Sequence, residues 1–133
     1  MTWLISYGSA LVVFVLVDMA WLGTMSSRVY RPVIGDILAA KFNLAAASMF
    51  YLLYPVGLVI FAVNPALKAG SLAQAATLGA LLGFFSYATY DLTNQATLRS
   101  WSTTLSAVDM AWGTVLGAIA ASASFWITTK FAG

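Results

Sequence analysis

The sequence predicts an all-α integral membrane protein: an antiparallel bundle of four transmembrane helices forming one domain over residues 1–133. Three observations carry that prediction. The chain is 62% hydrophobic and only 8% charged, whereas a soluble domain of this length needs about a quarter of its residues charged to wet its surface. Its mean hydropathy is +0.90. A window of about 19 residues finds four long apolar stretches separated by short polar ones. Each can cross a hydrocarbon core of about 30 Å at about 1.5 Å per residue, and none has the two-residue alternation of a barrel strand.

The first span runs from about Trp3 to Met25 and holds one charge, Asp18. The connection after it, Ser26 to Lys41, carries Arg28, Tyr30, Arg31, Pro32 and Asp36 around Val33, Ile34, Ile37 and Leu38. That apolar spacing suits either a short helix lying in the headgroup plane or an ordinary solvated loop. The second span, about Phe42 to Val63, has Asn43 near its start and Pro55 inside it. A proline there removes one backbone bond and kinks the helix, which a membrane bundle tolerates if neighbours satisfy the freed carbonyl. Asn64-Pro65 and Lys68 to Ser71 read as the turn into the third span, about Leu72 to Asn94, which carries Asp91 near its end. Arg99 and Trp101 lie in the third connection, an interfacial pair. The fourth span, about Thr104 to Thr129, carries Asp109 near its start.

Orientation follows from the basic residues near the span ends. Lys68 and Lys130 fall at the end that holds the N-terminus, while Arg28, Arg31, Lys41 and Arg99 fall at the other. The excess marks the second end as cytoplasmic and places both termini outside, in a bacterial inner membrane. A first segment without Lys or Arg before Arg28 fits this, and argues against a cleaved signal peptide.

With no His, no Cys and no Glu, the chain lacks disulfides, thiolate nucleophiles, Cys/His zinc sites and His-ligated haem. No ligating cluster for a metal stands out, and the cofactor is left unknown. The net charge of +2 is scattered rather than gathered in a basic run, so no nucleic-acid partner is expected. What remains is carboxylate, amide and aromatic chemistry. Span order places Asp18, Asp91 and Asp109 in one leaflet, with Asn43 and Asn94 alongside, so all four helices offer a polar group to one region. Ionisable groups inside a membrane are costly and point to a functional site. The alternative is structural glue between helices, with Asp109 favoured by the helix dipole. Asp18, deeper and towards a helix C-terminal half, has no such help.

Spacing supports a shared face. Tyr87, Tyr90, Asp91 and Asn94 form a stripe on the third helix, and Phe14, Asp18, Trp21 and Met25 a similar one on the first. On the fourth, Asp109, Gly113, Gly117 and Ala121 share a face, with Trp112 adjacent. Gly79 and Gly83 repeat the small-residue step on the third helix. Such glycines favour close helix packing over a ligand slot. Val17-Asp18-Met19-Ala20-Trp21 and Val108-Asp109-Met110-Ala111-Trp112 are the same five residues. An inverted duplication would place the motif at the same fraction of each span. It comes late in the first span and early in the fourth, so the two copies are expected to converge on one site from antiparallel helices.

The chain resembles domain-of-unknown-function family 2177, small bacterial four-helix membrane proteins. The resemblance covers essentially the whole chain. It rests on Asp18-Met19-Ala20-Trp21-Leu22-Gly23, on Tyr87-Ala88-Thr89-Tyr90-Asp91-Leu92-Thr93-Asn94 and on Val108-Asp109-Met110-Ala111-Trp112-Gly113. It implies a four-helix inner-membrane protein and brings no activity with it.

Three functional readings fit. In the first, Asp18, Trp21, Asn43, Tyr87, Tyr90, Asp91, Asn94, Asp109 and Trp112 bind a small or amphipathic substrate and exchange a proton for it, with Asp18 the first candidate for coupling. By analogy this is similar to the small multidrug-resistance transporters, although those carry Glu in the first helix and lack the two further acids. A homodimer is expected for so small a transporter. In the second, a membrane enzyme or accessory protein acts on a lipid or isoprenoid headgroup. Asp91 and Asp109 then serve as acid and base or hold a divalent ion, with Arg28, Arg31 and Arg99 engaging phosphate. In the third, the chain is a subunit whose Asp residues pair with a partner's basic groups. The expected contacts are thus the lipid bilayer, a second copy of the chain, and a small-molecule or lipid ligand.

Overall fold

The computed structural model describes residues 2–38, 41 and 43–132. Four helices there are long and apolar enough to cross a membrane. The first is α1, Thr2–Met25. Then come α2, Leu44–Ala69; α3, Leu72–Thr97; and α4, Thr103–Phe131. No strand occurs among the described residues. The fold is the all-α four-helix membrane bundle that the hydropathy predicts.

Two helices run further than the sequence suggests. The polar run after Met25 does not end the first span: a wider π-helical turn, Ser26–Tyr30, a turn of α-helix at Arg31–Ile34 and a 3₁₀ turn at Gly35–Ile37 continue it. Most of the expected first connection is therefore helical. Asn64-Pro65 does not open a turn either. A π-helical turn, Val59–Val63, precedes it, and Pro65 sits in the first turn of the α-helical stretch that continues to Ala69. It lies inside one continuous helix, so its missing N–H leaves a carbonyl of that wider turn without its helical donor. The chain reverses instead at Gly70, whose φ of 65° is the left-handed conformation that glycine adopts without strain. Ser71 then caps α3, accepting a hydrogen bond from the Gln74 amide. The expected start of the second span at Phe42 lies outside the described residues.

Helices in hydrocarbon gain nothing from burying apolar faces against each other, so their association rests on close packing and on hydrogen bonds. The α3–α4 pair shows the first. Gly79 lies against Gly117, and Gly83 against Gly113, so closely that a Cβ on Gly79, Gly83 or Gly117 would collide with the backbone of the facing helix. The small residues thus serve helix packing. Gly83→Ala is expected to cost about 1–3 kcal/mol in detergent unfolding, since backbone cannot move aside as a side chain can. Gly8→Ala, with nothing within 4 Å of the added carbon, should leave the transition unchanged.

Hydrogen bonds join the start of α1 to the end of α4: Ser6 pairs with Thr128 at 3.0 Å, Ser9 donates to Ser124 at 3.2 Å, and Ser124 donates to the Ser6 carbonyl at 2.8 Å. Between these layers lies the core of Phe14, Leu58, Ala62, Val63, Leu116 and Ala120. Helix α2 is held unevenly. Its second half packs inward through Pro55, Leu58, Val59, Ala62, Val63 and Ala66, while residues 44–53 are mostly exposed. Near the junction Tyr7 of α1 donates to the Leu52 carbonyl at 2.9 Å. That carbonyl is next in the chain to the Tyr51 carbonyl, which Pro55 has no N–H to bond.

Candidate functional site

The three carboxylates stand on three helices and all are buried: Asp91 fully, Asp18 and Asp109 to within 6% of their surface. Their surroundings differ. Asp18 is held from two sides. Tyr51 of α2 donates to its Oδ2 at 2.5 Å, and the Trp112 indole of α4 donates to its Oδ1 at 3.0 Å. Asp109 accepts from the Tyr30 hydroxyl at 2.5 Å, and that hydroxyl accepts from the Trp21 indole at 2.9 Å. Tyr30 reaches Asp109 because it ends the π-helical turn that carries the first span past Met25.

The repeated pentads meet here. Trp21 and Trp112 stack with ring centroids 4.3 Å apart and planes 5° from parallel. Each tryptophan serves the aspartate of the other pentad, Trp112 directly and Trp21 through Tyr30. Antiparallel helices bring matching Asp-x-x-Trp turns face to face, as the depth of the two copies in the sequence indicates. The stack makes an optical prediction: Trp21→Phe and Trp112→Phe should each remove the same exciton couplet from the far-ultraviolet circular dichroism, and Trp126→Phe should retain it. If the two single variants lost separate bands, the rings would not be in contact.

Asp91 has no such support. Both of its carboxyl oxygens are buried without a hydrogen-bond partner among the described residues. The Asp109 carboxyl is their polar neighbour, within hydrogen-bonding reach when one of the two acids carries a proton. Buried polar groups are satisfied in the great majority of cases, so a carboxyl with two idle oxygens beside a second acid needs a reason. The same stretch of α3 is otherwise well tied: Ser106 of α4 donates to the Gln95 side chain at 2.7 Å and to the Asp91 backbone carbonyl at 3.3 Å, and accepts from Trp101 at 3.0 Å. The exception is therefore local to the carboxyl.

The structure brings together Asp18, Trp21, Asp91, Asp109 and Trp112. Tyr87 joins them from α3 with its ring against Gly113, close enough that a Cβ on that glycine would strike it. Tyr90 turns outward, 54% exposed, with its ring edge-on to Trp101. Asn94 is half-buried, and its backbone carbonyl receives the Leu98 amide at the end of α3. Asn43 does not join the set: it is exposed and caps α2, accepting from the Ala46 amide at 3.1 Å. Arg28, Arg31 and Arg99 are exposed at the same end of the bundle, outside the hydrogen-bonded network. Tyr30 and Tyr51 enter the site without having been singled out in the sequence. No group of three or more His, Cys, Asp or Glu able to hold a metal ion occurs among the described residues.

The fold defines a multi-pass membrane protein, with three aspartates buried between its helices. The chain belongs to the family described as predicted membrane protein (DUF2177), which matches residues 3–126. No curated protein and no solved structure matches it.

Proposed function

We propose that the protein binds a small or amphipathic cationic substrate and exchanges a proton for it at the Asp91–Asp109 pair. The observation that carries this reading is the Asp91 carboxyl, fully buried with both oxygens unpartnered beside a second carboxyl. Two unit charges 4 Å apart interact by about 4 kcal/mol even at an effective dielectric of about 20. Two adjacent carboxylates in a membrane therefore need one positive charge between them. A proton supplies it in the empty state and the substrate's cationic group in the loaded state, and alternation between the two is the elementary step of coupled transport. Asp18, with two donors already on it, positions Trp112 and the stacked pair. The excess of Arg and Lys at this end supports a site in the cytoplasmic leaflet, with the termini outside. A homodimer suits a carrier of this size.

The test is uptake of tetraphenylphosphonium, a lipophilic monocation, into proteoliposomes with an acidic interior and no membrane potential. The wild type should accumulate it and Asp91→Asn should not. Equal uptake by the two would overturn the reading.

A further inference from the structure

The α1–α2 seam carries a feature the acid pair does not use: an open groove of about 630 Å³ in the half of the bundle that holds the carboxylates. Leu11, Val15 and Met19 form one wall, and Leu44, Ser48 and Tyr51 the other. Its cause is visible in the sequence. The first turns of α2 read Leu44-Ala45-Ala46-Ala47-Ser48, and side chains this small leave a trough beside the branched residues of α1. Because α2 is anchored through its second half, its first half does not close the trough.

We propose that this groove holds an acyl chain of an anionic phospholipid of the surrounding leaflet. The groove is continuous with the lipid-facing surface of two membrane-spanning helices. Lined almost wholly by aliphatic side chains, it offers water too few partners to stay. Left empty, it would forfeit the dispersion contacts of both walls. Hydrocarbon is the filling that the medium supplies. The sign of the headgroup follows from the charges at the end towards which the groove runs. Arg28, Arg31, Lys41 and Arg99 are exposed there against a single acid, Asp36, whose carboxylate already accepts from Ser100 at 2.7 Å. An anionic phosphate complements that balance.

The chain in the groove lies against Tyr51, the residue that donates to Asp18. Lipid occupancy and the position of Asp18 therefore share one side chain. The inference does not depend on proton exchange at Asp91.

The experiment uses phosphatidylcholine vesicles doped with a phosphatidylglycerol that carries a diazirine in its acyl chain, followed by peptide mapping after photolysis. In the wild type, label should concentrate on Leu11–Met19 and Leu44–Leu52 relative to the lipid-facing Leu81–Phe85 segment. Unlabelled phosphatidylglycerol should compete it away better than phosphatidylcholine. Ser48→Trp, which fills the trough, should lose the concentrated label and keep the background on Leu81–Phe85, whereas Asp91→Asn should keep both. Label spread evenly over all lipid-facing segments, or unchanged in Ser48→Trp, would overturn the proposal. Equal competition by the two lipids would overturn its anionic specificity. Because the chain has no native cysteine, Ser48→Cys gives a clean cross-linking control. A Ser48→Cys disulfide between two copies together with an unlabelled groove would assign the groove to a second copy instead.

Discussion

Asp91→Asn is expected to leave the fold at least as stable as the wild type while weakening tetraphenylphosphonium binding roughly 100-fold or more. The two effects have one origin. No donor of another side chain is stranded on substitution, because none among the described residues reaches the Asp91 carboxyl, and the Asn amide can donate to Asp109 in place of a shared proton. An amide of nearly the same shape also relieves the juxtaposition with Asp109. What disappears is the charge that a cation would neutralise, worth about 1.4 kcal/mol for each tenfold in affinity. Paired measurements of unfolding midpoint and binding on the purified variant check this. A variant that unfolds more easily and still binds would make Asp91 a structural residue.

Asp18→Leu should behave in the opposite way, with a loss of stability on the order of 2–4 kcal/mol. The substitution strands the Tyr51 hydroxyl and the Trp112 indole, both of which point at a carboxylate that is no longer there. Hydrogen bonds between membrane helices are individually modest, about 0.6–2 kcal/mol, but here two are lost at once from donors on two different helices. The cost should fall when Tyr51→Phe and Trp112→Phe are combined with Asp18→Leu, since unpaired donors are then removed together with their acceptor. A double-mutant cycle by detergent unfolding measures the difference. Strict additivity of the Asp18 and Trp112 substitutions would mean that the 3.0 Å contact contributes nothing.

The contrast between these aspartates separates what the sequence makes legible from what it does not. Four apolar spans and the depth of each Asp within its span place Asp18, Asp91 and Asp109 in one leaflet, and the matched pentads indicate that Trp21 and Trp112 converge. These inferences use only rise per residue and alternation of direction. Which acid is satisfied depends on partners whose reach the pattern does not encode. Tyr51 is one tyrosine in an otherwise apolar stretch, and its facing depends on how α2 leans on α1. Tyr30 lies beyond a Ser-Ser-Arg run that reads as the end of a helix. A π-helical turn carries the helix through that run and swings the hydroxyl onto Asp109. Asn43 shows the reverse problem: an amide at the start of a span reads equally as a site residue and as a cap, and its side chain bonds the Ala46 amide. The sequence thus puts Asp18 first for coupling, because it is the deepest. In the proposed exchange that role falls instead to Asp91, which no hydroxyl, indole or backbone donor among the described residues reaches.

Proton exchange at the Asp91–Asp109 pair is read out by counting the protons released when tetraphenylphosphonium binds to the purified protein in weakly buffered detergent solution. Release by the wild type and none by Asp91→Asn is the expected result. Binding without release by the wild type, or the same release from both proteins, would contradict it.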